Sequence, residues 1–212
     1  MDEQELKKLQ RYIGKRDKGE TTEEIITHIR KMMEGEPWKE ETWNQLLIPT
    51  CSSGDVVLFR WLLEQGACLK TVMHELPGYV IYSQEKRLEY QKKRQALLEE
   101  AVSLIDKEDR SDFLGEALKQ ACWYNNIYVV EYLVNAGGDL QYTDVGGKTP
   151  YEYAKIYGER FDDYTLYHYL QEFVENKGKG WKLFGKKKRL ADSEKFFSGK
   201  DMLGNSIYEK QE

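Results

Sequence analysis

The sequence predicts an all-α protein built from helix-turn-helix repeats, and three observations support this prediction. Apolar residues recur at the three- and four-residue spacing of a helix face in several segments of the chain. The segment at 51–69 aligns without a gap with the segment at 122–140. Each copy ends in a glycine, which terminates a helix readily because it adopts a left-handed conformation without strain. We therefore expect a stack of short helical units with cores between neighbours.

Composition narrows the class of protein further. The chain has 212 residues, of which 33% are charged and 13% aromatic. The charged residues favour solubility, and the aromatic residues can pack in a core. Its N-terminus is charged, and no later apolar run approaches the length of a membrane span, so we expect a cytoplasmic location. Cys51, Cys68 and Cys122 are widely spaced and odd in number, which favours reduced thiols over a disulfide framework.

Residues 1–40 predict a helical N-terminal cap. The first helix should end at Gly14, and the second should begin at Thr21, whose side chain pairs with Glu24 in a capping box. Each helix has one apolar face, formed by Leu6, Leu9 and Ile13 in the first and by Ile25, Ile29 and Met32 in the second. These helices would cover the open end of the stack.

In the alignment of the two segments, apolar residues fall on apolar residues and small residues on small ones. Leu58 falls on Val129 and Leu62 on Leu133, and the small Cys51 falls on Cys122 where a first helix would pack closely against its neighbour. The first copy resembles the second helix and exit of an ankyrin repeat, G-x-x-x-V-V-x-x-L-L-x-x-G-A, through Gly54, Leu58, Phe59, Leu62, Leu63, Gly66 and Ala67. The second copy departs from that pattern at Asn125 and Gly138, which both tolerate a turn.

The stretch DVGGKTP at 144–150 resembles the opening turn of an ankyrin repeat, D-x-x-G-x-T-P-L-H-x-A. Asp144 and Gly147 should shape a tight turn, and Thr149 should cap the next helix, with Glu152 replacing the histidine of the pattern. The same stretch also resembles the end of a phosphate-binding loop. Tyr142 stands where that loop needs its other glycine, so we do not expect nucleotide binding. We expect no small-molecule substrate either, because repeats of this kind offer a rigid surface and no cradle for a reaction.

The predicted repeats occupy 41–175 and include one irregular insertion. A long helix is predicted over 82–109, with an apolar stripe of Leu97, Ala101, Leu104 and Ile105, after an irregular loop around Pro77 and Gly78. The segment after Ala154 should supply the second helix of the last full repeat. Residues 176–212 form a C-terminal extension that contains DMLGNSIYEK, a second version of the turn sequence.

Charge is concentrated in one segment. Residues 177–189 contain seven basic and no acidic residues, which leaves −12 on the rest of the chain. Its candidate contact residues for anionic membrane or nucleic acid are Lys182, Lys186, Lys187, Lys188 and Arg189. Alternatively, this segment is a linker whose aromatic residues fold back on the acidic remainder of the chain. The negative charge of that remainder favours a basic protein as partner.

The resemblance to ankyrin repeats implies a non-enzymatic protein-protein interaction module. Such proteins bind through projecting turns and first helices, and the matching positions are Trp123, Tyr124, Asn126, Tyr142, Val145 and Lys148. Alternatively, Trp123 and Tyr124 pack between repeats. A sharper hypothesis is an immunity or antitoxin-like protein that neutralises a basic toxin, and the competing hypothesis is an adaptor that uses 177–189. No spacing of His28, His74 and His168 with cysteines or carboxylates predicts a metal, a cofactor or a catalytic group.

Overall fold

The computed structural model describes residues 3–14, 21–33, 38–81 and 88–175. These ranges contain eleven α-helices and no strand, which confirms the all-α prediction. They divide into two compact units, the first comprising residues up to Ile81 together with 89–105, and the second beginning at Asp106. In the described part of the chain, no helix is both long and apolar enough to cross a membrane.

The first unit is organised around one central helix. Its helices are α1 (Glu3–Gly14), α2 (Thr22–Met32), α3 (Glu40–Ser53), α4 (Val56–Glu64), α5 (Leu69–Val72), α6 (Leu76–Ile81) and α7 (Leu88–Leu104). Helix α3 packs against α1, α4, α5 and α6, while α2 packs against α4. The core that results contains Leu9, Ile13, Ile25, Leu46, Leu47, Leu58, Phe59 and Leu62, all buried.

The capping box before α2 is confirmed. The Glu24 backbone amide donates to Thr21 Oγ1 at 3.2 Å, and the Thr21 amide donates to Glu24 Oε2 at 2.7 Å. These two bonds satisfy amides that a helix start leaves without intrahelical partners. With its start fixed, α2 turns Ile25 and Ile29 into the core.

Two predictions for the segment between the repeats were wrong. The helix predicted over 82–109 is interrupted near Ile105, where α7 ends and Asp106 precedes α8; residues 82–87 lie outside the described ranges. Leu97, Ala101 and Ile105 of the predicted apolar stripe are buried, but Leu104 is 47% exposed, and Leu98 and Val102 complete the buried face in its place.

The loop expected around Pro77 and Gly78 is also different in the structure. Both residues lie in the short helix α6, where Pro77 occupies the first turn. Proline is well tolerated there, since the first turn of a helix has no intrahelical partner for the missing amide.

The second unit consists of four helices. They are α8 (Lys107–Trp123), α9 (Ile127–Asn135), α10 (Pro150–Phe161) and α11 (Thr165–Glu175). Helix α8 packs against α9 and α10, and α10 packs against α11. Its buried side chains include Phe113, Leu114, Leu118, Val130, Leu133, Ala154, Tyr157, Leu166 and Leu170. The turn from α9 to α10 is the only long connection among the described residues of this unit, and it contains the DVGGKTP stretch.

The two aligned segments adopt the same backbone pattern. A left-handed residue follows the first helix in each copy: Gly54 directly after α3, with φ of 70°, and Asn125 two residues after the end of α8, with φ of 52°. The next side chain caps the second helix: Asp55 accepts from the Leu58 amide and Asn126 from the Val129 amide. Glycines with positive φ, Gly66 and Gly137, follow each second helix, as the alignment of the two copies predicted.

Candidate partner-binding turn

The candidate site is the turn between α9 and α10, and Asp144 organises it. Oδ1 of Asp144 accepts hydrogen bonds from the amides of Gly146 at 2.9 Å and Lys148 at 3.0 Å. Its backbone amide donates to the Lys148 carbonyl, and its carbonyl accepts from the Gly147 amide. Gly147 has a φ of 73°, which glycine adopts without steric cost. The tight turn predicted from Asp144 and Gly147 is therefore confirmed.

The first turn of helix α10 holds this turn in place through contacts of Tyr153. The Tyr153 hydroxyl donates to Asp144 Oδ2 at 2.6 Å, and the Lys148 ammonium lies 5.9 Å from the centre of the Tyr153 ring. Thr149 and Glu152 form the second capping box of the chain, with Pro150 at the helix start. The turn and the first turn of α10 therefore hold each other in one conformation.

Negative charge converges on the same place. The hydrogen bond from Tyr153 is the largest cause that lowers the pKa of Asp144, and the Lys148 amide lowers it further. Burial, followed by the bond to Asp144, raises the pKa of Tyr153 to about 12. Burial also raises the pKa of Tyr142, and the carboxylates of Glu116 and Asp112 add to that rise. Tyr142 and Tyr153 thus lie in a negative field.

The structure places three of the predicted contact residues on this turn. Val145 is at its tip, and its relative exposure of 111% makes it a fully exposed apolar side chain. Lys148 is also exposed. Tyr142 is half-buried because its ring packs directly on Gly115 of α8, where a Cβ atom would overlap it. Val145 and Lys148 are therefore accessible to a partner, whereas Tyr142 mainly supports them.

The three predicted residues at the end of α8 have different roles. The Trp123 ring meets Tyr153 edge-on, with centroids 5.1 Å apart, and Trp123 and Tyr124 are both half-buried. Asn126 is only 4% exposed, and its side-chain oxygen caps α9 by accepting a hydrogen bond from the Val129 amide. Asn126 is therefore not part of the exposed contact surface. The sequence pattern did not reveal that its side chain caps the start of α9.

Sequence reasoning missed Tyr153, Glu116 and Asp112 at this site. Tyr153 is four residues after Thr149, the predicted cap, so its position in the first turn of α10 was the available signal. Glu116 forms an ion pair of 2.6 Å with Lys119, and both side chains are largely buried. The position of α8 beside the turn depends on tertiary packing, and no local pattern indicates it.

Other predicted groups lie elsewhere. Lys182, Lys186, Lys187, Lys188 and Arg189 fall outside the described residues. His28 and His168 are exposed on helices, and His74 is exposed in a turn. Within the described ranges, no three His, Cys, Asp or Glu side chains are grouped closely enough to hold a metal ion.

Comparison with known proteins found no relatives: no protein-family model, no curated protein and no solved structure matches this chain. The resemblance to ankyrin repeats accordingly stays a prediction from the residues quoted above. The geometry of the turn is the main basis for a functional proposal.

Proposed function

We propose that this chain is a non-enzymatic protein-binding module that contacts its partner with the turn at 142–148. The observation behind this proposal is the complete exposure of Val145 at the tip of a turn fixed by hydrogen bonds to Asp144. We further propose that α3–α4 and α8–α9 are ankyrin-like repeats, supported by their shared caps and left-handed turns, and that the protein is cytoplasmic.

A turn that is already ordered binds more favourably than one that must order on contact. Ordering an interfacial side chain costs about 0.5–1.5 kcal/mol, and a fixed backbone avoids further loss of freedom. Full burial of a valine side chain contributes about 1.5–3 kcal/mol. Trp123 and Tyr153 lie beside the turn and belong to residue types that are common at energetic centres of interfaces.

The charge of the second unit supports a basic partner. Residues 106–175 contain fourteen acidic and six basic residues, a net charge of −8. Complementary charge speeds association and rejects acidic competitors. A module of this kind acts by occupying and blocking a partner's surface, and neutralisation of a basic toxin by an immunity protein is the sharpest form of this proposal.

The proposal is tested by photo-crosslinking from the tip of the turn in the cells that produce the protein. The photoreactive residue p-benzoylphenylalanine replaces Val145, and crosslinked chains are identified by mass spectrometry. Val57 provides the matched control, since it is also an exposed valine but belongs to the first unit. We expect one basic protein to crosslink at position 145 and not at position 57.

A second variant checks that the contact is specific. Val145→Asp places a charge at the tip without touching the bonds of Asp144, and we expect it to reduce binding of that protein at least tenfold. The same change at Val57 should leave binding intact. Equal crosslinking at both positions contradicts the proposal, as does recovery of only lipid or nucleic acid, which would support the adaptor hypothesis instead.

A further inference from the structure

Helices α10 and α11 carry an aromatic cluster distinct from the turn. Tyr151 of α10 stacks on Tyr167 of α11 with ring centroids 4.7 Å apart. Tyr164 and His168 flank Tyr167, with centroid separations of 6.3 Å and 5.5 Å. We call Tyr151, Tyr164, Tyr167 and His168 the tyrosine cluster.

The tyrosine cluster lies on the outer side of α11. Leu166 and Leu170 of the same helix are buried in the unit, whereas the three tyrosines are half-buried and His168 is exposed. Asp162 and Asp163 immediately precede it in the turn between the two helices, and Asp162 is exposed. Tyr151 and Tyr167 cover one face of each other and Tyr164 packs on Gly158, so the cluster presents partly exposed aromatic rings next in sequence to the carboxylates of Asp162 and Asp163. Lysine and arginine favour such rings and carboxylates.

We infer that the basic segment at 177–189 of the same chain binds this cluster. The segment follows α11 closely and contains seven basic residues among Trp181, Leu183 and Phe184, while residues 106–175 have a net charge of −8. The aromatic residues would pack on the tyrosine rings, and the lysines would meet the carboxylates and ring faces.

The chain has enough length to make this contact. Trp181 is six residues beyond Glu175, and six extended residues span about 20 Å. Tyr167 is eight residues before Glu175, or about 12 Å along the helix. The proposed contact requires a reversal of direction between Glu175 and Trp181, a stretch whose sequence contains Gly178 and Gly180, and glycine adopts the backbone angles of tight turns without steric cost.

The tether also favours this occupant over a separate partner. A short linker gives the attached segment an effective concentration in the millimolar range. A separate basic protein with the same affinity for the cluster would have to reach a millimolar concentration before it displaced the segment. The inference concerns different residues from the turn at 142–148, so each can be tested without the other.

Paramagnetic broadening of amide NMR signals in the full chain tests the inference. A nitroxide label is attached at Gly185→Cys in a Cys68→Ser background, in which the remaining Cys51 and Cys122 are fully buried. We expect the strongest loss at the signals of 151 and 164–168. The loss should weaken in about 1 M salt, where the screening length falls to about 3 Å.

Two controls make the result decisive. Replacing Lys186, Lys187 and Lys188 with glutamine leaves the described residues unchanged and should restore much of the lost signal. A mixture of isotope-labelled protein without nitroxide and unlabelled protein with nitroxide should show no broadening. Broadening in this mixture assigns the contact to a second copy and overturns the inference, as does uniform or absent broadening in the labelled chain.

Discussion

At the scale of single residues, Asp144 determines the shape of the candidate site. One carboxylate accepts bonds from two backbone amides and from the Tyr153 hydroxyl, so it joins the turn to the start of α10. An ionised carboxylate with several donors is stabilised in its charged form, which is why the pKa of Asp144 is lowered. Its contribution to stability is therefore present above the unfolded-state pKa and is lost as the pH falls through the folded value.

Replacement of Tyr153 by phenylalanine is expected to raise the pKa of Asp144 toward its ordinary value. The Tyr153 hydroxyl is the largest cause of the lowered pKa, whereas the amides of Gly146 and Lys148 remain in the variant. The pKa should therefore rise part of the way. NMR titration of the Asp144 carboxyl carbon measures it directly.

Tyr79→Phe is the control for this titration, because it removes an exposed tyrosine hydroxyl from the first unit. An unchanged Asp144 pKa in Tyr153→Phe would show that the hydroxyl does not bond to the carboxylate in solution. A pKa that returns fully to its ordinary value would instead show that the amides contribute nothing.

At the scale of helices, the two repeat copies differ at one informative position. Both need a left-handed residue after the first helix, and the first copy uses Gly54 where the second uses Asn125. A Cβ atom on Gly54 would lie 2.7 Å from the Arg94 amide nitrogen and 2.8 Å from the Lys93 carbonyl carbon. Helix α7 therefore packs so closely on this turn that only glycine fits.

Gly54→Ala is expected to destabilise the first unit strongly. The left-handed conformation costs a non-glycine residue about 1–2 kcal/mol, and the overlap with the α7 backbone adds about 1–3 kcal/mol. Urea unfolding, followed by circular dichroism, measures the loss. Gly54→Asn should not restore stability, because asparagine relieves the backbone strain but keeps the Cβ atom.

Gly147→Ala is the matched comparison. Gly147 has a φ of 73°, close to the 70° of Gly54, and a Cβ atom there would meet nothing within 4 Å. This variant should therefore show the backbone strain alone, about 1–2 kcal/mol. If the two variants lost equal stability, the close approach of α7 to Gly54 would be refuted.

At the scale of the whole molecule, each unit contains one buried thiol. Cys51 lies in the first unit and Cys122 in the second, and both are completely buried, which raises the pKa of each. Cys68 is partly exposed, and hydrogen bonds to Thr71 lower its pKa. The three thiols therefore differ in both access and thiolate content.

A thiol reagent is expected to modify Cys68 first in the folded protein. Cys51 and Cys122 should react only through unfolding, slower by about 10³-fold or more for a stable unit. Mass spectrometry after timed labelling measures each site, and denatured protein, in which all three should react at similar rates, is the control. Rapid labelling of Cys51 or Cys122 under native conditions would contradict the packing of the corresponding unit.

The sequence by itself determined the local features of this protein. Helix faces, the capping boxes at Thr21 and Thr149, the turn at Asp144 and the paired left-handed residues depend on contacts within a few residues, so short patterns predict them. Only the tertiary structure decided that Leu98 and Val102 are buried while Leu104 is exposed, and that Tyr142 rests on Gly115. These features depend on which distant helix packs against a residue, and periodicity along one segment contains no information about that neighbour.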